Sequence, residues 1–134
     1  MTFAIESVDH VGVRVADSAR AEEFYRRFGF EVTLRSRVAP VVVLRNAAGV
    51  EVHLVVNASR EHDGTNVLMD LPEKRAGITH VALRVASIEA SQRALAELGV
   101  PLSDGPVVTG EGVSIFVRDP DRNVVEFREA RDGS

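Results

Sequence analysis

Four side chains able to bind a metal stand at positions related by an internal repeat. The segment Asp9-His10-Val11-Gly12-Val13-Arg14-Val15-Ala16 returns seventy residues later as Thr79-His80-Val81-Ala82-Leu83-Arg84-Val85-Ala86, which aligns His10 with His80 and Arg14 with Arg84. The same offset carries Gly29 onto Gly99. Farther on, Leu44-Arg45-Asn46 falls on Val117-Arg118-Asp119 at an offset of seventy-three, which sets His53 opposite Glu126. Imidazole and carboxylate donors suit one divalent transition metal ion (nickel, cobalt, zinc, manganese or iron), and a partly open coordination sphere leaves room for a substrate. A lone His on a strand is more often structural, and a lone Glu more often a solvated charge. The weight comes from finding such residues at equivalent places in both halves. His62, beside Asp63, has no repeat partner and reads as a surface residue.

Three more residues belong with this set. Glu51 precedes His53 by two and shares its strand face, as a candidate second base or a charge at the rim. Arg14 and Arg84 each follow a first-strand His by four, where they could hold an anionic group of a substrate or simply end the strand in water. The Gly-rich run Thr109-Gly110-Glu111-Gly112 lacks the following helix and the Lys-Ser/Thr of a phosphate cradle, and reads as a hairpin loop holding the three extra residues of the second half.

The elements that must position these residues follow from periodicity. Both opening segments alternate, with Val11, Val13 and Val15 (Val81, Leu83 and Val85) on one face and His10, Gly12 and Arg14 (His80, Ala82 and Arg84) on the other. A helix follows each strand. Asp17 or Ser18 caps the first, Ala21, Phe24, Tyr25 and Phe28 form its stripe, and Gly29 stops it. Ser87 caps the second, Ile88, Ser91, Leu95 and Leu98 form its stripe, and Gly99 stops it ahead of Pro101. Three strands complete each half: near Phe30 to Arg35, Pro40 to Arg45 and Val50 to Val56, and near Leu102, Val113 to Arg118 and Asn123 to Glu129. Parity places His53 and Glu126 on the face opposite the apolar one that packs on the helix. The expected fold is α+β, with two βαβββ modules (5–57 and 77–130) whose curled mixed sheets surround a cavity. A linker over 58–76 joins them in one domain, and Val67-Leu68-Met69 suggests that part of it packs.

Size and composition agree with this. One compact domain with a sizeable core fits 134 residues at 45% hydrophobic content. A net charge of −4 offers no basic surface for nucleic acid. The absence of cysteine excludes disulfides and thiolate ligands and fits a cytoplasmic protein. The first residues lack the pattern of a signal peptide, and no apolar run approaches the ~18 residues of a membrane span.

On Asp9-His10-Val11, Phe24-Tyr25-Arg26-Arg27-Phe28-Gly29-Phe30-Glu31-Val32, Gly77-Ile78-Thr79-His80-Val81-Ala82 and Asp119-Pro120-Asp121-Arg122-Asn123-Val124-Val125-Glu126-Phe127, nearly the whole chain resembles the vicinal oxygen chelate superfamily. That superfamily includes glyoxalase I, bleomycin-resistance proteins, fosfomycin-modifying enzymes, methylmalonyl-CoA epimerase and extradiol dioxygenases. The resemblance implies paired βαβββ modules, a metal held by His10, His53, His80 and Glu126, and chelation of two neighbouring oxygens of a small molecule. It also implies a homodimer, with modules in some members exchanged between chains.

Departures from the family patterns narrow the choice. Glyoxalase I usually has Glu in place of His53, so only Glu126 keeps the double role of ligand and general base. The epimerases tend to have Gln there. Gly12 replaces the Thr of the fosfomycin transferases. Drug-sequestering members usually lack the metal ligands, and this chain keeps a full set. Extradiol dioxygenases generally use four modules. The expectation is a metal-dependent lyase or isomerase of glyoxalase type. A metal-dependent dioxygenase and a non-catalytic antibiotic-binding resistance protein are the alternatives.

Overall fold

The computed structural model describes residues 2–61 and 64–130. His62 and Asp63, read from the sequence as surface residues of the linker, lie outside the described residues. Contacts divide the chain after Glu61 into two compact units. The first contains β1 (Val11–Arg14), α1 (Ser18–Arg26), β2 (Glu31–Arg35), β3 (Val41–Arg45) and β4 (Glu51–Val55). The second contains β5 (His80–Arg84), α2 (Ile88–Leu98), β6 (Asp104–Thr109), β7 (Gly112–Arg118) and β8 (Val124–Ala130). Each is one βαβββ module, as the repeat requires. The sheet orders are β1-β4-β3-β2 and β5-β8-β7-β6. In both, the first strand runs parallel to the last and the remaining pairs are antiparallel.

The helices start where the polar caps predict. The Asp17 carboxylate accepts from the Arg20 amide at 3.0 Å, and the Ser87 hydroxyl accepts from the Ala90 amide at 3.1 Å. Gly99 ends α2 in the left-handed region at φ 72°, the conformation for which a helix C-terminus selects glycine. The first helix stops earlier than its stripe suggests. It ends at Arg26, so Phe28 falls in the following turn and is half-buried, and its repeat partner Leu98 is also part-exposed. On the helix-facing side of the first sheet, Val13, Val42, Leu44, Val52 and Leu54 are buried, as are Ala21, Phe24, Tyr25 and Phe30. In the second unit Ile115, Val117, Val125 and Phe127 play the same part with Ile88, Leu95 and Val100.

One strand is displaced from its expected place. The strand sought near Leu102 begins at Asp104, although the Ser103 amide already donates to the Phe116 carbonyl. Its repeat counterpart begins at Glu31, which pairs with Arg45. Pro101 stands at the position of Glu31 and has no N–H to offer the ladder. Leu34 pairs with Val43 and Asp104 with Phe116, so the extra residues fall between these points, in the β6–β7 hairpin as expected. The turns before the last strands are repeat-related too. The Asn46 side chain accepts from the Val50 amide, and Asp119 accepts from the amides of Asp121 and Asn123.

The segment Asn66–Asp70 is tied into the second unit by polar bonds. Asp70 accepts from Arg122 Nε at 2.9 Å, lies 3.0 Å from Arg118 Nη2, and accepts from the Asn66 amide. These bonds, that from Arg122 foremost, hold its carboxyl far below the usual carboxylate range. No described helix is long and apolar enough to cross a membrane.

Candidate functional site

Strand alternation separates two faces of each sheet, and the predicted ligands occupy the face away from the helix. In β4, Val52 and Leu54 are buried, while Glu51, His53 and Val55 are half-buried. In the parallel pairings, Gly12 lies opposite His53 and Ala82 opposite Glu126. His10 and His80 are two residues earlier on the same face. The small residues keep that part of the face low, and a Cβ built on Gly12 would meet nothing within 4 Å.

Each unit brings its own pair together. In the first, the His10 and His53 rings stack with centroids 3.6 Å apart and planes within 8°. The Asp9 carboxylate bonds His10 Nδ1 at 2.7 Å, and Glu51 Oε1 lies 3.2 Å from His53 Nε2. The hydrogen bond and charge of His10 hold the Asp9 carboxyl below its ordinary value. In the second unit, His80 Nε2 lies 2.9 Å from Glu126 Oε1, and Thr79 Oγ1 is 2.8 Å from His80 Nδ1. Ser114 donates to Glu126 Oε2 at 2.6 Å and accepts from Arg128 Nη1 at 3.1 Å. Glu126 and Ser114 are both buried, and the Phe116 ring stands edge-on to His80.

This chemistry fits a divalent ion. With bonds of about 2.0–2.2 Å, two adjacent ligands on one ion lie about 3 Å apart, close to the His80–Glu126 separation. Asp9 and Thr79 engage the Nδ1 atoms of repeat-related histidines, as the outer partners of metal-binding imidazoles do, and leave each Nε2 as the outward donor. Among the described residues, no group of three or more His, Asp and Glu side chains that could hold a metal ion is found, so each unit by itself supplies a pair.

The remaining candidates differ in their surroundings. Glu51 is with His53, as its parity predicted. Arg14 Nε donates to the Asn57 side chain at 3.1 Å. Arg84 is exposed at the end of β5, opposite Arg128. The sequence reading did not single out Asp9, Thr79, Ser114, Phe116 or Arg128. The first two were open to discovery, because each immediately precedes a repeat-related His. Ser114 and Phe116 become neighbours of Glu126 only through the pairing of β7 with β8, which pattern alone does not register, whereas Arg128 shares its face of β8 by alternation.

Solved structures with this fold cover nearly the whole chain. TnmS3, an antibiotic binding protein from Streptomyces sp. CB03234, is 25% identical with a TM-score of 0.70, over 96% of this chain and 99% of that one. A glyoxylase/bleomycin resistance protein/dioxygenase domain from Frankia sp. EAN1pec is 21% identical with a TM-score of 0.72, over 96% and 100%. A glyoxalase/dioxygenase from Nostoc punctiforme is 17% identical with a TM-score of 0.70, again over 96% and 100%. No curated protein matches. The repeat, the paired βαβββ modules and these likenesses converge with the family model that matches residues 7–127, and the chain belongs to the Glyoxalase/Bleomycin resistance protein/Dioxygenase superfamily.

Proposed function

We propose that the protein is a metal-dependent enzyme of glyoxalase type, a lyase or isomerase acting on a small molecule with two neighbouring oxygens. The observation that carries this reading is the His80–Glu126 pair, with Thr79 at the far ring nitrogen, matched in the other unit by His10 and His53 with Asp9. His10, His53, His80 and Glu126 are the proposed ligands. A divalent ion held there would polarise the substrate oxygens and acidify the adjacent C–H. Glu126 is the proposed general base. Ser114 anchors one of its oxygens and leaves the other toward His80, so the carboxylate is held while it takes and returns a proton. Glu51 is the second candidate for that role. Arg14 and Arg84 are proposed to hold an anionic group of the substrate. We place the enzyme in the cytoplasm as a homodimer.

Metal analysis after reconstitution with nickel, cobalt, zinc, manganese or iron tests the reading. About one ion per chain is expected, and no stoichiometric uptake by any of the five would overturn it. Glu126→Gln should keep much of the metal and lose most proton transfer, because an amide oxygen coordinates but is not a base near neutral pH. A second reading, a small-molecule binding protein without turnover, draws support from the likeness to the antibiotic binding protein TnmS3. The half-buried Val41, Val43 and Val55, on the same face as His53, also suit an apolar ligand. Tight ligand binding that does not change on metal removal would favour it.

A further inference from the structure

Two arginines lie side by side on the His80–Glu126 face of the second unit, and among the described residues the nearest carboxylate, Glu126, reaches Arg128 only through the Ser114 hydroxyl. Arg84 and Arg128 are register partners across the parallel β5–β8 pair, and by alternation they share the face of His80 and Glu126. Strands so paired are about 4.8 Å apart, and like charges directly opposite each other destabilise a sheet. Arg128 spends two of its donors on neutral hydroxyls, those of Ser114 and Thr109. The guanidinium has five N–H donors, so three remain on Arg128. Among the described residues, the Arg84 side chain has no hydrogen-bond or ion-pair partner, and neither arginine has a carboxylate at ion-pair distance.

Several other arginines are paired with carboxylates. Arg35 is paired with Glu22, Arg118 and Arg122 with Asp70, Arg93 with Glu89, and Arg60 with Asp17. The first unit does not repeat the arginine pair, because Arg14 is opposite Val55 and donates to Asn57. A like-charged pair retained on the ligand face of one unit alone, with donors unspent, is suited to a bound anion.

We propose that Arg84 and Arg128 form an anion subsite that takes the carboxylate or phosphate of a substrate. It lies two strand positions, about 7 Å, beyond Glu126 and four positions, about 13 Å, beyond His80. The placement of the other end of the substrate rests on the metal-site reading above, whereas the anion subsite does not need the metal. Guanidinium forks favour both groups through paired, charge-assisted bonds. The ligand would then be an acid or a phosphate ester whose two chelating oxygens lie about 7–13 Å from the anion.

The test is a titration of the metal-free full-length protein with inorganic phosphate and, separately, with acetate. It is followed by the arginine Nε–Hε resonances at constant ionic strength in chloride. Saturable shifts with one midpoint at Arg84 and Arg128, and none at Arg93 on the helix surface, are expected for at least one anion. Phosphate alone would indicate a phosphorylated substrate, and acetate alone a carboxylic acid. Arg84→Gln should weaken the midpoint about tenfold or more, as loss of a charged hydrogen-bonding partner does. It is preferred to a change at Arg128, which also supports Ser114. Shifts that do not saturate with either anion, that appear equally at Arg93, or that persist unchanged in Arg84→Gln would overturn the subsite. Metal uptake by the wild-type chain is measured separately, so failure of either reading is seen apart from the other.

Discussion

Ser114 shows how much a single hydroxyl can decide on this face. Its donated bond fixes one oxygen of Glu126, and its accepted bond draws Arg128 into the same row. Removing an outer partner of a metal ligand commonly costs ten- to a hundredfold in affinity or activity. Ser114→Ala should therefore weaken metal binding roughly tenfold in a competition titration with a chromogenic chelator, and Ser114→Thr should restore most of it. Equal affinities in all three proteins would remove Ser114 from the site. A second buried carboxylate works for the fold instead. Glu22 on α1 accepts two bonds from Arg35 on β2 and another from the Ser18 hydroxyl. The Arg35 bonds, ahead of the opposing effect of burial, hold its carboxyl below the ordinary value. A depressed carboxyl contributes stability above its unfolded pKa, near 4.5, and loses it as pH falls through the lower folded value. Arg35→Ala should lower the urea midpoint at pH 7 modestly, because Arg35 is mostly in water. The gap from wild type should narrow as the pH is lowered below that range.

At the scale of elements, two glycine positions and one clamp decide whether the second sheet can form. A Cβ on Gly112 would stand 2.4 Å from the Glu129 carbonyl oxygen, and one on Gly105, whose φ is 91°, would stand 2.7 Å from the Ser114 carbonyl oxygen. Gly112→Ala should force β7 from β8 and cost about 2 kcal/mol or more, as overpacking in a close-packed region does. Thermal unfolding would show it, whereas Gly110→Ala at the open hairpin tip should be nearly silent. Asp70→Asn removes the carboxylate that Arg118 and Arg122 share, and should raise amide exchange across Asn66–Asp70 while β7 and β8 stay protected. Much of this scale was legible in the sequence. Repeat-related caps at Asp17 and Ser87 and alternation along β1, β4, β5 and β8 express local rules. The Asp70 clamp was not legible, because it joins residues about fifty apart whose meeting depends on where the linker returns. Nor was the Glu22–Arg35 bond, since a Glu on a mid-helix position reads as solvated until the neighbouring strand is in place.

For the molecule as a whole, large apolar side chains at repeat-related places remain exposed. Val8 and Ile78 each precede a proposed ligand His by two and are 88% and 87% exposed, and Phe3 and Ile5 lie upstream of Val8. Exposed apolar surface beside a proposed site favours association. Light scattering should therefore report a homodimer at micromolar concentration, weakened by chelator if the ligands come from two chains. A strict monomer would refute the dimer. The two faces of each sheet have a further consequence, for inheritance. Residues that pack toward the helix and residues on the face of the proposed site alternate along the same strand, so one set can drift while the other stays under selection. A saturation scan of β3, β4, β7 and β8 should show tolerance rising and falling residue by residue, with Val52, Leu54, Val125 and Phe127 intolerant in a folding screen. Val43, Val55 and Phe116 should be permissive there, yet decisive in a binding screen. A scaffold partitioned in this way can change what it binds without first having to refold.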